Sequence, residues 1–483
     1  MMLGLAVSFG RAELPPVPEP LENPLTEDKR VLGKILFWDE QLSSDNTVAC
    51  GTCHRPAYGG GDPRDGRNPG SDPGSIDDVR GSPGIAHLDE RGRRVEHAVF
   101  GFEPQVTPRS SPSNFGALWA DSQFWDGRAT SRFVDPISGE TAIESGGSLE
   151  NQALAALLND AEMSKTGRSW AELTGKLQRV RPLALASNLP DDIQSRLAGG
   201  ADYPALFAAA FGDETITPVR IAFAIASYER TLVADQTPWD DYQAGDTEAL
   251  DSVERYGLRA MEDFQCVKCH TPPLFSNDDF SNIGLRRAEY DIGRQAITGD
   301  TEDAGEMKVP SLRNVGLRKR FMHTGEFESL GAAISFYRTG PALPERDDIP
   351  GGGIYAFNMG ALTEADIRSF LSKALTDPRV RDELFPFDRP TLRTESETVD
   401  THPPLTPQSF AATRVEAEIQ LSWDPHPDVA DYVLWRNDEV IALTTEPRFS
   451  DAPQRGAAKY RLVARDRAQN EAPAAELAVA PPP

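Results

Sequence analysis

The chain has 483 residues, which ordinary domain sizes divide into about three domains, and its 39% hydrophobic and 26% charged residues are enough to bury a sizeable core. The formal net charge of −26 excludes a cationic surface for non-specific nucleic-acid binding and permits docking to a basic partner. No stretch is apolar for long enough to span a bilayer, which argues against a membrane-spanning chain.

The opening MMLGLAVSFGRA is apolar and ends in small residues before ELPPVPEP; residues 1–12 read as the tail of a signal peptide without its charged start, cleaved near Ala12. Thr26 to Trp38 predicts an amphipathic helix, with Thr26 as cap, acids in the first turn and an apolar stripe of Val31, Leu32, Ile35 and Leu36. Cys50-Gly51-Thr52-Cys53-His54 comes next. Residues 55–116 are rich in Gly, Pro, Asp and Arg, an irregular stretch too long for a compact domain unless it is functional. Helical patterns return at 149–162, 168–180 and 203–211, and another at 217–234 opens with Thr217 as N-cap and Pro218 at the first position. A helix over 247–264 delivers Cys266-Val267-Lys268-Cys269-His270, and helices at 329–338 and 363–375 close the region.

From Pro386 to Gln408 the chain is rich in Pro, Thr and acids and reads as a linker. The period then becomes two. Val415, Ala417, Ile419, Leu421 and Trp423 alternate with polar residues, as in a half-buried strand. Tyr432–Trp435 and Val440–Leu443 flank a turn at Asn437-Asp438, and Lys459–Ala464 alternates again, so a small β-sandwich is predicted.

Cys50, Cys53, Cys266 and Cys269 are the four cysteines, and a histidine follows each pair directly, His54 and His270. C-x-x-C-H is the attachment signal for c-type haem: two thiols add to the two vinyl groups of one porphyrin, and the adjacent histidine becomes the proximal iron ligand. A zinc site would need both motifs brought together as four ligands. A thioredoxin-like pair would need a surrounding βαβ pattern that the chain lacks. Two complete motifs that use every cysteine point to two covalently bound haems. Such proteins are assembled outside the bacterial cytoplasm, so a periplasmic or otherwise exported location is expected.

Residues 25–390 resemble the bacterial di-haem cytochrome c peroxidase and MauG superfamily. The landmarks stand in the family's order: Gly33 to Phe37 with Leu42-Ser43, the first haem motif, Phe124-Trp125-Asp126-Gly127-Arg128, and Tyr228-Glu229-Arg230-Thr231-Leu232-Val233. The second haem motif follows, then Val309-Pro310-Ser311-Leu312-Arg313-Asn314-Val315 and Phe321-Met322-His323-Thr324-Gly325. The resemblance implies an N-terminal peroxidatic haem domain at 25–215 and a C-terminal electron-transfer haem domain at 216–390. A linker at 391–408 leads to a module at 409–480. Its LSWDPHPDVADYVLWRNDEVIA and ARDRAQNEAP resemble a fibronectin type III module, which carries no catalytic constellation and suits a spacer or docking role. The expected fold is therefore mainly α, two c-type cytochrome domains with long loops, followed by a small all-β fibronectin-like sandwich.

By the same resemblance, the haem on His54 binds peroxide and the haem on His270 stores or relays an electron. Trp125 matches the tryptophan between the haems, a relay position, although a tryptophan is more often a core residue. Glu162 is the expected catalytic acid and Gln152 its partner, because Leu149-Glu150-Asn151-Gln152-Ala153 leading to Glu162-Met163 restores the family's spacing. Glu140 and Glu144 come first after Arg128 but lie in what looks like a Gly- and Ser-rich insertion; Glu144 is the reserve candidate. A carboxyl group that moves a proton from the inner to the outer oxygen of peroxide is worth roughly 10²- to 10⁴-fold in rate.

The chain departs from the family at several positions. His87 and His97, before Arg109-Ser110-Ser111-Pro112, match no ligand position, which leaves the sixth ligand of the first haem open. Ser110, Arg318 and Arg320 replace residues around the family's calcium ion, and two cations beside a dication disfavour it. Tyr337, fourteen residues after His323, stands at the distal-ligand position of the second haem. Family peroxidases have methionine there and MauG has tyrosine; Met307, Met322 and Met359 are the alternatives. A thioether favours the ferrous state, a phenolate ferric and higher states. Phe264 replaces the surface tryptophan through which MauG oxidises its protein substrate. The expected activity is reduction of hydrogen peroxide with electrons from a small redox protein donor, a cytochrome or another protein. The alternatives are MauG-like oxidation of side chains on a partner protein and pure electron transfer.

Overall fold

A computed structural model describes residues 13–70, 77–340, 356–396, 404–415, 418–426, 429–452, 456–466 and 472–481. The expected signal-peptide remnant at 1–12 lies outside the described residues. The chain divides into two units. One comprises Met1–Ile85, Gln105–Ser164 and Arg168–Arg393, the other Ala86–Pro104, Lys165–Gly167 and Thr394–Pro483.

The first unit is helical: α1 Glu27–Trp38, α2 Cys50–Cys53, α3 Ser148–Leu157, α4 Trp170–Leu177, α5 Asp191–Leu197, α6 Tyr203–Phe211, α7 Pro218–Glu229, α8 Pro238–Gln243, α9 Ser252–Asp263, α10 Gln295–Thr298, α11 Leu330–Thr339, α12 Ala361–Ser369 and α13 Pro378–Arg381. Caps fix the starts. The side chains of Thr26, Ser169, Thr217 and Asp251 each accept a backbone N–H from the first turn. α9 begins at Ser252, later than the apolar pattern implies. There Glu254 N donates to Asp251 Oδ1 at 2.8 Å and Asp251 N to Glu254 Oε2 at 2.9 Å. α7 stops at Glu229 rather than 234, where Thr231 N turns to Tyr228 O at 2.9 Å. The pattern over 363–375 becomes α12 continued by a π turn at Phe370–Ala374. Within the irregular stretch after the first cysteine motif, Gly66–Asn68 pairs antiparallel with Val79–Gly81.

Each cysteine motif follows a helix that carries a glycine at a crossing. A Cβ on Gly33 of α1 would lie 1.8 Å from Ala224 O of α7, and one on Gly257 of α9 would lie 2.2 Å from Asp366 O of α12. The backbones meet because no side chain intervenes. Around the first crossing Ile35, Leu36, Phe37, Ile221 and Ile225 are fully or almost fully buried, and Trp38 Nε1 donates to the Tyr228 hydroxyl at 3.2 Å. Around the second, Trp239, Leu250, Met261, Phe275, Ile334 and Phe370 form one apolar cluster. Behind α7, Arg230 Nη1 pairs with Glu150 Oε1 of α3 at 2.7 Å, and both side chains are buried.

The second unit contains two antiparallel sheets. One orders Arg448–Asp451, Glu418–Ser422 and Ala411–Val415; the other orders Glu439–Thr444, Asp431–Arg436, Ala458–Arg465 and Ala475–Val479. Ile419, Leu421 and Trp423 share a buried cluster with Tyr432, Leu434, Tyr460, Leu462 and Ala464. The single strand read over 415–423 is two strands. Val415 pairs with Glu418, and residues 416–417 lie outside the described residues. Val415 is exposed on the face of Glu418, opposite to the buried Ile419, so the apolar alternation read over 415–423 spans two faces. The turn at Asn437-Asp438 forms, with φ of 47° and 65°, the left-handed pair that a tight hairpin needs. Among the described residues no helix is long and apolar enough to cross a membrane.

The crossings predict opposite effects for one substitution. Gly33→Ala drives a methyl into backbone and should destabilise the protein by ~2 kcal/mol or more. Gly175→Ala in α4 meets only the flexible end of Arg179, 3.4 Å away. It should stabilise by up to about 1 kcal/mol through helix propensity. Thermal unfolding of the two variants beside the parent checks both signs.

Candidate functional site

α2 carries Cys50 to Cys53 to the edge of a cavity of about 490 Å³ lined by Cys53 and His54. Gly51 is dictated by packing, since a Cβ there would lie 2.2 Å from the Trp38 ring. The loop that follows turns the histidine. Gly59 and Gly60 have φ of 62° and 72°, Gly60 N donates to Arg55 O at 2.8 Å, and Gly60 O returns to within 3.1 Å of His54 Nδ1. Nδ1–H is thereby satisfied, and Nε2 keeps its lone pair. His270 repeats the arrangement, with Nδ1 3.2 Å from both Phe275 O and Pro310 O. Burial holds both imidazoles below the usual histidine range, which favours the neutral, metal-binding form. The four cysteines are free of disulfides, and burial pushes the Cys50 thiol up to about 12 and the Cys266 thiol up to about 11.

The His270 cavity, about 230 Å³, is walled by Cys266, Cys269 and apolar residues including Leu312, Val315, Ile334, Ile367 and Leu371. Tyr337, from α11, lines it together with Met307, Met322 and Met359, so all four ligand candidates meet one space. Burial, and the nearby Cys266 and Cys269, push the Tyr337 phenol well above its ordinary range. Phe264, by contrast, packs edge-on against Phe357 with ring centroids 6.2 Å apart.

Trp125 lines both cavities. Its Nε1 donates to Ser110 O at 2.7 Å, its carbonyl accepts Lys308 N at 2.8 Å, and its ring meets His323 edge-on at 6.1 Å. Arg109 braces the same segment, donating to Asp126 Oδ2 at 2.6 Å and to the two Asp291 oxygens at 2.6 and 2.8 Å.

Gln152 and Glu162 both line the His54 cavity, Gln152 from α3 and Glu162 from the turn beyond it. That turn is pinned by Glu162 N donating to Asn159 O at 3.2 Å and Ile85 N to Glu162 O at 3.1 Å. Burial raises the Glu162 carboxyl above its usual range, and Arg128 partly opposes the shift. Glu144 is exposed instead, 3.6 Å from Arg132 at the surface. His87 and His97 meet each other in the second unit, ring centroids 5.2 Å apart. Among the described residues, the His54 cavity is lined by no second histidine and no methionine.

Two residues that the sequence presented only as landmarks also belong to these cavities. Glu229 ends α7 inside the lining of the His54 cavity, with Oε2 buried and bonded to no protein group. Burial pushes its carboxyl up to about 8. Its signal was an acid closing the otherwise apolar run Ile221 to Tyr228. His323 lines the other cavity with Nε2 buried and unpartnered, and burial depresses it to about 4.

The donors fit two haems. The His270 cavity offers both thiols beside an oriented, neutral imidazole and an apolar wall, and the His54 cavity offers Cys53 beside its imidazole, with Phe124, Trp125 and Leu149 among polar residues. Among the described residues no group of three or more His, Cys, Asp or Glu side chains forms a metal cluster, so the two motifs are not joined as one zinc site.

The family described as di-haem cytochrome c peroxidase matches residues 27–248. The chain is 29% identical over 358 residues to the methylamine utilization protein MauG of Methylophilus methylotrophus, spanning 74% of this chain and 84% of that protein. It is 28% identical over 342 residues to the cytochrome c peroxidase Ccp of Escherichia coli (strain K12), spanning 69% of this chain and 58% of that one. A solved MauG-like protein associated with microbial copper homeostasis superposes with a TM-score of 0.54 at 23% identity, over 80% of this chain and 98% of that one. The diheme peroxidase BthA from Burkholderia thailandensis gives 0.50 at 20% identity, over 77% and 91%. At these identities the two structures speak for the fold.

Glu229 generates a pH prediction. Its folded value of about 8 lies above the ordinary 4.5, so the folded protein holds a proton that the unfolded chain has released. Stability from this group is full below the ordinary value and is lost as pH rises through about 8. Thermal midpoints measured from acid to alkaline pH should fall over that window in the parent and fall less in Glu229→Gln, which cannot ionise.

Proposed function

We propose that the chain is a member of the di-haem cytochrome c peroxidase and MauG family, an exported oxidoreductase that reduces hydrogen peroxide with electrons supplied by a small redox protein through the His270 site. When bound, the two haems supply the redox chemistry and the iron that takes peroxide. Cys50 and Cys53 hold one covalently beside His54, and Cys266 and Cys269 the other beside His270. The residues 25–215 and 216–390 form the peroxidatic and electron-transfer halves, and the fibronectin-like module at 409–480 acts as a spacer or docking element.

The observation that carries this reading is the lining of the His54 cavity. Besides its oriented imidazole it is lined by Glu162 and Gln152 and, among the described residues, by no competing histidine or methionine. Glu162, raised by burial, can take a proton from the inner peroxide oxygen and return it to the outer one. Gln152 orients the small substrate. Arg128 opposes that rise by stabilising the carboxylate, which keeps an ionised fraction available to act as the base. Trp125, common to both linings, passes the electron from the His270 side. Calcium has no part in this reading, because the Arg318 guanidinium already occupies the Ser111 and Arg320 carbonyl oxygens that a hard cation would use.

Tyr337 favours a second reading, in which a partner protein is oxidised at a side chain. An anionic oxygen ligand opposite His270 stabilises positive charge on iron, so the site resists reduction and suits an enzyme that delivers oxidising equivalents outward. Pure electron transfer is the outcome left if neither site keeps an open position.

Glu162→Gln should leave both haem spectra unchanged and slow the reaction with peroxide roughly 10²- to 10⁴-fold, read by stopped-flow absorbance. If Glu144→Gln causes the loss instead, the acid is misassigned. Tyr337→Met should raise the potential of the C-terminal haem and introduce the weak near-infrared band of thioether ligation. A parent spectrum that already shows this band would assign the ligand to a methionine and favour the half-reduced peroxidase cycle.

A further inference from the structure

Arg318 directs its guanidinium inward. Nη2 donates to Ser111 O at 2.7 Å and Nε to Arg320 O at 3.3 Å, both uncharged backbone acceptors. Nη1 is sealed from solvent and donates to no protein group. The chain has made room for this cation. A Cβ on Gly61 would lie 2.7 Å from Nη1, and one on Gly59 would lie 3.0 Å from Arg318 Cγ, so two glycines of the His54 loop form its cradle.

The charge is uncompensated. The neighbouring Arg320 pairs with Asp65 and Glu328 at 2.7 and 2.8 Å, and Arg64 with Asp62 at 2.7 Å. No carboxylate among the described residues pairs with Arg318, and burial alone draws its guanidinium down to about 10. A cation enclosed among neutral groups costs several kcal/mol unless an anion meets it. Arg318 lines the His270 cavity on the side shared with Ser113 and Trp125. A haem seated there brings carboxylate side chains of its own.

We propose that Arg318 is the counter-ion of a carboxylate of the haem in the His270 cavity, holding that haem's reduction potential up while it buttresses the loop that orients His54. The inference rests on the two-haem reading above. The geometry explains why the chain places an arginine against two glycines. Nη2 and Nε anchor the guanidinium to the backbone, and the side chain brings its positive charge to the cavity wall. A positive charge beside the porphyrin favours the reduced, less positive iron.

The test uses the full holoprotein as Arg318→Met and Arg318→Lys. A pyridine haemochrome assay first counts covalent haem, and a spectroelectrochemical titration then gives both potentials. If the parent lacks two covalent haems, the two-haem reading fails before Arg318 is tested. With two retained, Arg318→Met should lower the reduction equilibrium constant of the His270 haem tenfold or more, which is 59 mV for one electron. Arg318→Lys keeps the charge and should stay within about threefold of the parent. An unchanged potential in the methionine variant overturns the proposal. Should that variant not fold, the lysine variant decides alone. A tenfold loss despite the retained charge would mean that Arg318 serves packing only.

Discussion

An imidazole binds a metal only through a nitrogen whose lone pair is free, so its other nitrogen must be held by something that cannot move. In both cavities that something is main chain. Gly60 O holds His54, and Phe275 O with Pro310 O holds His270. This explains what the landmark at Val309 to Val315 is for. Pro310 supplies a carbonyl, Ser311 Oγ donates to Leu274 O at 2.6 Å, and Arg313 donates to Pro273 O at 2.8 Å while gripping Asp240. The segment is a clamp on the loop after the second cysteine motif. The first motif is held likewise, by its glycine turns and by Ser111 Oγ donating to Cys53 O at 3.1 Å and Ser113 Oγ to Gly59 O at 2.8 Å.

The two halves solve one packing problem twice. A helix must deliver a cysteine pair while a second helix closes the cavity behind it, and the approach is tightest at Gly33 and Gly257. Within these enclosures the carboxyls differ by neighbourhood. Glu150 is fully buried yet matched by Arg230, whereas Glu229, the residue beside that arginine, has a bare oxygen and a raised value. Burial with a partner gives structure, and burial without one gives a group that can carry a proton near neutral pH.

The helices that face the cavities were legible because apolar spacing and caps are local, and the cysteine motifs were legible because their chemistry requires one spacing. The antiparallel pairing of 411–415 with 418–422 was not, since the apolar residue types keep alternating in sequence from 415 to 423 and only pairing partners separate the two strands. Helix ends shifted wherever a cap or a π turn outweighed the apolar run, as at Asp251 and Phe370. Glu229 and Arg318 escaped for a different reason. Each is unusual through what it lacks, a donor or an anion, and that depends on the residues the fold brings around it. Arg318 was visible in the sequence only as an obstacle to a cation.

The proposed passage of charge through Trp125 would take a form set by its hydrogen bond. Its indole N–H donates to the backbone carbonyl of Ser110, an acceptor that is far too weak a base to keep a proton. When an electron leaves this ring, the proton therefore stays on nitrogen and the oxidised side chain is an indole radical cation. Transfer then involves an electron alone, with no isotope effect from solvent deuterium at this position, and the cation must be tolerated electrostatically while it lasts. Asp126 and Asp291 line the same cavities as Trp125, but Arg109 and Arg128 already pair with them, so the cation would have to be brief.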